Sequence, residues 1–170
     1  VLDIFDYIYR PLPVLVGLGA FTAIAGVMMA LIQHRTRRLL GYHAISQVGY
    51  MLIGLGCGNP AGIVGGFLHM INNVVYKTGL FLISSSAERV TGTQDMEVPS
   101  GLARSMPLTY FSALVMSLAI SGIPPLNGFV SKWLIYQGFV KLVKDSSGFH
   151  AIFWLICFAM ALMGSALTLA

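Results

Sequence analysis

Long apolar runs without a charge constrain this chain more than any other feature. The stretch from Pro11 to Gln33 contains no acidic or basic side chain, and about 20 apolar residues are what a helix needs to cross a bilayer. Only 9% of the 170 residues are charged, against roughly 25% in an ordinary soluble domain. Because so few charges cannot cover a soluble surface, a soluble enzyme is excluded. The sequence predicts an all-α membrane protein.

Turn signals and charges divide the chain into about five transmembrane helices within a single domain over residues 1–170. The Asn59-Pro60 turn separates the second helix from the third, and Pro107 suits the start of the fourth. The chain begins without methionine and stops inside an apolar run, so we expect a piece of a longer polypeptide. The predicted helices cover about residues 11–33, 39–58, 61–87, 107–140 and 151–170.

The fourth predicted helix is discontinuous, with a break at residues 121–128, which read SGIPPLNG. Adjacent prolines remove backbone donors and interrupt the helical hydrogen-bond ladder. Such a break persists in a membrane only where protein or water satisfies the freed groups, and it commonly places helix ends at an ion or substrate site. A simple packing kink is the alternative. The residues of this broken-helix motif are Gly122, Pro124, Pro125, Asn127 and Gly128.

Two lysines, Lys77 and Lys132, fall inside predicted membrane segments. A charge at that depth costs at least ~2.5 kcal/mol, and intramembrane lysines normally mark ion paths. The alternative is a structural lysine permanently paired with a carboxylate. However, all six acids lie in predicted termini or loops. Any intramembrane counter-charge must therefore come from a missing part of the polypeptide or from another subunit.

Lys77 belongs to a polar stripe on the third predicted helix. His69, Asn73 and Lys77 follow one another at intervals of four residues, which places them on one helix face. Asn72 and Tyr76 widen the stripe. This pattern is typical of a hydrated proton relay, because a histidine can change its charge near neutral pH. Hydrogen-bonded packing of a lone histidine is the alternative for His69.

Basic loop residues predict the orientation of the chain. The loops at 34–38 and 88–106 hold five arginines, against three basic residues on the opposite side. By the positive-inside rule, the Arg-rich side is cytoplasmic. His43 lies within a turn of the first of these loops. It is a further candidate for the relay, or else an interfacial residue.

Several function classes lack their sequence signals. The net charge of +4 is spread out without a dense basic tract, which argues against nucleic-acid binding. No CxxC set, glycine-rich phosphate loop or haem signature is present. We therefore predict no catalytic residue, cofactor or metal in this chain, and assign electron transfer to partner subunits.

The chemistry-bearing residues lie in four segments that resemble consecutive motifs of a known family. The resemblance is to the antiporter-like membrane subunits of respiratory complex I (NADH-quinone oxidoreductase), of energy-converting hydrogenases of the formate hydrogenlyase type, and of multi-subunit Na+/H+ antiporters. The segments are LLGYHAISQVGYMLIGLG (39–56), FLHMINNVVYKTGLFL (67–82), TGTQDMEVPSGLARSMPLT (91–109) and SGIPPLNGFVSKWLI (121–135).

The resemblance implies a subunit built from two inverted five-helix repeats, each with one broken helix, of which this chain looks like the second. Lys77 and Lys132 match family lysines on the polar axis of the proton channel, and His69 matches the first histidine of that axis. Asn73 stands where many members have a second histidine, so a proton would pass there by water. The acid and lysine of the first repeat have no counterpart in this chain.

The function implied is proton translocation within a redox-driven respiratory complex, in which this chain is an ion-pumping part and is not catalytic alone. Expected partners are other membrane subunits, including antiporter-like paralogues, the lipid bilayer, and redox subunits that carry Fe–S clusters with flavin or a NiFe centre. A bacterial or archaeal plasma membrane is expected, with an organellar inner membrane as the alternative. The alternatives for function are a subunit of a Na+/H+ antiporter without redox chemistry, and a non-transporting membrane scaffold.

Overall fold

The computed structural model describes residues 11–95 and 101–168, except the side chain of Leu102. Part of the predicted loop 88–106 and the end of the fifth predicted helix lie outside the described residues, as do residues 1–10. The described part contains no strand, only an isolated bridge between Arg35 and Asp95. Its helices are α1 (Pro13–Leu31), α2 (Thr36–Gly56), α3 (Pro60–Thr91), α4 (Leu102–Ser105), α5 (Pro107–Ser121), α6 (Asn127–Lys144) and α7 (Phe149–Leu167).

Proline, asparagine and glycine set the ends of the long α3 helix. Pro60 occupies its first turn, where a missing N–H costs nothing. The Asn59 side chain accepts a hydrogen bond from the Gly62 N–H at 2.9 Å, so it caps the helix start. Gly92 follows the last turn with φ of 71°, a left-handed conformation that favours glycine. These local signals set both ends of α3, which is 32 residues long.

Three helix ends extend three or more residues beyond the predicted ranges. α2 begins at Thr36 instead of residue 39, α6 continues to Lys144 instead of residue 140, and α3 continues to Thr91 instead of residue 87. Glu88 is therefore a helical residue, not a loop residue as expected, and its carboxylate forms an ion pair with Arg37 of α2. The physical reason is that this pair and the Gly92 cap support one further turn of α3.

The helices expose many large apolar side chains, and their apolar core also includes several buried polar residues. Val14, Leu108 and Phe149 are 74%, 80% and 80% exposed, whereas Gln47 and His69 are completely buried. Large exposed apolar surfaces of this kind suit contact with lipid. Among the described helices, α1 and α7 are each 19 residues long and apolar enough to cross a membrane.

Two ends of the bundle can be distinguished by their contacts. At the Arg-rich end, the start of α2 meets the end of α3, and the Thr36 N–H donates to the Gln94 carbonyl at 3.1 Å. At the opposite end, which we call the Asn59 end, the Asn59 amide donates to the Gly138 carbonyl of α6 at 2.8 Å. α3 thus packs between α2 and α6, while α1 packs on α2 and α7.

Glycines allow α1 and α2 to touch backbone to backbone. A Cβ atom added at Gly49 would lie 2.5 Å from the Gly19 carbonyl oxygen and 2.6 Å from the Ala23 nitrogen. Gly54 meets Gly62 and Gly66 of α3 in the same way. Small residues commonly mediate such close packing between membrane helices.

This contact yields a prediction for stability. We expect Gly49→Ala to lower the free energy of unfolding by about 1–3 kcal/mol, because the added methyl overpacks the α1–α2 contact. Gly41→Ala is the matched control, since Gly41 lies on the same helix and nothing stands within 4 Å of its Cβ position. Thermal unfolding of the full-length subunit in detergent measures both. Equal stability of the two variants would contradict the packing argument.

Candidate functional site

Lys77 lies in the middle of α3 and is buried. It stands fourteen residues before the end of the helix at Thr91, about 21 Å along the axis. Its ammonium donates to the Leu40 carbonyl of α2 at 2.7 Å, and the same Nζ lies 3.5 Å from Nδ1 of His43. The structure thus brings together two predicted site residues that are 34 positions apart.

Lys132 is also buried, and its side chain caps the C-terminal end of α5, the first half of the broken helix. Its Nζ donates to the Ile120 carbonyl at 3.1 Å and to the Ser121 carbonyl at 3.3 Å, the last two residues of α5. The Nζ also lies 5.3 Å from the centre of the Tyr50 ring. A cation at a helix C-terminus is stabilised by the partial negative charge of the free carbonyls.

The predicted break is present and is shorter than expected, because helix α5 includes Ser121 and α6 already begins at Asn127. Gly122 adopts φ of 83°, which ends α5, and its N–H donates to the Ala119 carbonyl at 3.1 Å. The Pro124-Pro125 bond is cis, and both prolines are exposed.

Asn127 and Gly128 attach the second half of the broken helix to its neighbours. The Asn127 amide donates to Oδ1 of Asn72 at 3.1 Å, and the Asn72 amide donates back to the Asn127 carbonyl at 3.1 Å. A Cβ atom at Gly128 would collide with the Ala119 carbonyl of α5. The two half-helices therefore approach most closely at a position that needs glycine.

His69 is fully buried between three helices. Its Nδ1 lies 3.0 Å from Oγ of Ser131 on α6, and its Nε2 lies 3.0 Å from Oε1 of Gln47 on α2. The Tyr50 ring packs edge-on at a centroid distance of 6.0 Å. Since Tyr50 also contacts Lys132, His69 is connected to the broken helix through both Ser131 and Tyr50.

Unpaired polar atoms line the face between His69 and Lys77. Oδ1 of Asn73, the Tyr76 hydroxyl and Nε2 of Gln47 are buried without a hydrogen-bond partner among the described residues. Buried polar groups are nearly always satisfied, often by ordered water.

A cavity of about 450 Å³ lies at the Arg-rich end, and it is lined by residues that contact Lys77 and Lys132 but not by the two lysines themselves. Its outer part includes Glu88 and Asp95, and its inner part reaches His43 and Ser121. His43 contacts Lys77, and the Ser121 carbonyl accepts from Lys132. The cavity thus joins one partner of each lysine to the surface, and much of its lining is apolar.

No carboxylate among the described residues pairs with Lys77 or Lys132, whose hydrogen-bond partners are backbone carbonyls and, for Lys77, also Nδ1 of His43. The described acids are Glu88, Asp95 and Asp145. Within the same ranges, no group of three His, Cys, Asp or Glu side chains is arranged to hold a metal ion.

Gln47, Tyr50 and Ser131 contact the site but were not predicted to belong to it. One signal could have found two of them. His43, Gln47 and Tyr50 are spaced by four and three residues on α2, so they form a stripe facing the one on α3. Ser131 immediately precedes Lys132, and nothing in its spacing distinguishes it.

Comparison with known proteins shows the family of the chain. A family model described as NADH:quinone oxidoreductase/Mrp antiporter, TM matches residues 4–164. Formate hydrogenlyase subunit 3 of Escherichia coli is 40% identical over 148 residues, which cover 81% of this chain and 24% of that protein. A Na+/H+ antiporter subunit of Alkalihalophilus pseudofirmus is 37% identical over 125 residues, covering 73% of this chain and 25% of that protein.

Solved structures of membrane complexes contain the same fold. The Mrp complex from Dietzia sp. matches with a TM-score of 0.81 and 30% identity, covering 92% of this chain and 17% of that one. An archaeal membrane-bound sulfane sulfur reductase matches with a TM-score of 0.79 and 37% identity, covering 91% of this chain and 24% of that one. Respiratory complex I from Thermus thermophilus matches with a TM-score of 0.74 and 28% identity, covering 96% of this chain and 34% of that one.

The fold is that of the antiporter-like subunits of integral membrane complexes. The chain belongs to the NADH:quinone oxidoreductase/Mrp antiporter membrane-subunit family, which confirms the resemblance found in its motifs. It spans about a quarter of the length of the curated relatives it matches.

Proposed function

We propose that this chain is the second-repeat part of a proton-translocating subunit in a redox-driven membrane complex. The observation that carries the proposal is the pair of buried lysines, each bound to backbone carbonyls without a carboxylate among the described residues. A lysine held in this way can lose its proton without leaving a buried anion behind. Two relatives named for respiratory or hydrogenlyase complexes support the redox setting.

In this proposal each site residue has a distinct role. Lys132 exchanges protons with the bulk side, and Lys77 passes them along the membrane axis. His69 and ordered water link the two lysines, with water bound at Asn73, where the side chain cannot titrate. His43 shares the proton of Lys77, as their 3.5 Å separation allows. The 450 Å³ cavity supports access from the Arg-rich end.

We also propose the number of membrane spans, the orientation of the chain and its partners. We infer about five membrane spans, with α5 and α6 together forming one, and a cytoplasmic Arg-rich end in a bacterial or archaeal plasma membrane. The partners are other membrane subunits, including antiporter-like paralogues, and redox subunits. Fe–S clusters, with flavin or a NiFe centre, belong to those redox subunits, and the missing carboxylate belongs to a part outside this chain.

The second candidate is a subunit of a Na+/H+ antiporter that has no redox chemistry. It is favoured by the relative named for that activity and by the match to the Mrp complex. The two candidates share the same buried lysines and differ in what drives the ion. They are therefore separated by partners and by the driving reaction.

Purification of the full-length subunit from native membranes tests the redox proposal. We expect Fe–S subunits to co-purify, and we expect vesicles with the complex to acidify only while electrons flow, as followed with a pH-sensitive dye. A complex without redox subunits that exchanges radioactive sodium for protons under a pH gradient alone would instead support the antiporter. Absence of any ion movement in either assay would favour the scaffold.

A further inference from the structure

The surroundings of His69 are more specific than packing requires. Gln47, His69 and Ser131 come from three different helices, and all three are completely buried. Both ring nitrogens of His69 have a partner at 3.0 Å, one on each side. On the far side of Ser131, its Oγ also lies 3.1 Å from the Gly128 carbonyl.

Counting protons shows what this arrangement holds. A serine hydroxyl has one hydrogen, and a carbonyl can only accept. When Ser131 donates to Gly128, its oxygen must accept from an Nδ1–H of His69. Oε1 of Gln47 likewise accepts from an Nε2–H. The same heavy-atom positions therefore accommodate a His69 ring that carries two protons.

Each neutral form of His69 needs one small rotation. With the proton on Nε2, the Ser131 hydroxyl turns from Gly128 to donate to Nδ1. With the proton on Nδ1, the Gln47 amide turns over so that its NH2 group donates to Nε2. That NH2 group has no partner in the present orientation among the described residues. All three forms are thus reached without displacing a helix.

We propose that Gln47 and Ser131 are positioning residues that let His69 take up and release a proton. The Ser131 hydroxyl couples the protonation state of His69 to the broken helix. This coupling runs through Gly128, which lies in the first turn of α6 and packs directly on the Ala119 carbonyl of α5. The inference rests on the proposed function, because it deepens the role of His69. The other groups that face His69 are Lys132, His43 and the Tyr50 ring.

Ring-nitrogen NMR of His69 in the full-length complex tests the proposal. Ser131→Ala removes the Nδ1 partner and is expected to leave only the Nε2–H neutral form. Gln47→Glu, which nearly preserves volume, supplies a carboxylate that only accepts and is expected to hold His69 doubly protonated. Ion flux should fall roughly 10-fold to 100-fold in both, by analogy with the loss seen when the partners that orient a metal-binding histidine are removed.

Controls separate this inference from the proposed function. Ser131→Thr keeps the hydroxyl and should restore the protonation states of the parent protein. Ser112→Ala, which removes an exposed hydroxyl bonded only within its own helix, should change neither the spectrum nor the flux.

If Lys77→Ala stops flux while Ser131→Ala and Gln47→Glu leave the His69 spectrum unchanged, the inference is wrong and the proposed function stands. A changed spectrum with normal flux in both variants would overturn the role of these residues in transport. If Lys77→Ala leaves flux intact, the proposed function fails, and the spectra still decide whether Gln47 and Ser131 set the proton on His69.

Discussion

Lys77→Ala is expected to reduce coupled ion flux in vesicles by ~100-fold or more, the order of loss seen when a positioned proton-transfer group is removed. The ammonium of Lys77 connects the Leu40 carbonyl and His43, and no described side chain could replace it there. Assembly should survive, because removing a buried charge also removes its insertion cost of at least ~2.5 kcal/mol. Flux is measured with a pH-sensitive dye, and assembly by gel filtration.

Two variants sharpen this test. Lys77→Arg keeps the positive charge but cannot release its proton in a protein, so flux should remain lost if proton transfer is the role of Lys77. Lys141→Ala removes an exposed lysine from α6 and should leave flux unchanged. Normal flux in Lys77→Arg would mean that Lys77 acts only as a fixed charge, which contradicts the relay.

Lys132→Met is expected to stop ion flux and also to loosen the broken helix. Two functions are lost together, because Lys132 is a titratable group and also binds the carbonyls of Ile120 and Ser121 at the end of α5. A cation in such a partly buried position stabilises a helix end by up to ~2 kcal/mol. We therefore expect faster proteolysis at residues 122–126 of the break, measured on the purified complex.

Lys132→Gln separates the two functions. Its amide can still donate to a carbonyl of α5 but cannot carry a proton, so the resistance of the break to proteolysis should return while flux stays absent. Lys144→Ala, at the exposed end of α6, serves as the control for loss of a lysine. Recovery of flux in Lys132→Gln would show that Lys132 holds the break together and does not take part in transport.

The membrane class and the two lysines could be predicted because each rests on a strong local signal. A charge within an apolar run is costly wherever that run crosses a membrane, so Lys77 and Lys132 can be recognised from the linear sequence alone. The Pro124-Pro125 pair marks the break for the same reason, since proline interrupts a helix when it falls in the interior. The exact helix ends were less predictable, because the Arg37–Glu88 pair that extends α3 joins two separate helices.

The partners of His69 could not be predicted, because they depend on which helix faces meet. Gln47 and Ser131 are 22 and 62 positions away from His69 in sequence. Neutral polar residues of these types occur in membrane helices for many reasons, including simple helix contacts. Their role becomes visible only once α2, α3 and α6 are packed around the same buried ring.

The cavity at the Arg-rich end has an electrical consequence. Where water fills it, the conducting phase reaches inward to His43 and Ser121, and the low-dielectric layer of the membrane becomes thinner at that point. The transmembrane voltage then falls mostly across the protein between this floor and the Asn59 end. A charge that crosses only this layer would still gain nearly all of the ~2.3 kcal/mol per 100 mV that a full crossing provides. A short proton step beyond Lys132 would thus carry most of the voltage dependence of transport.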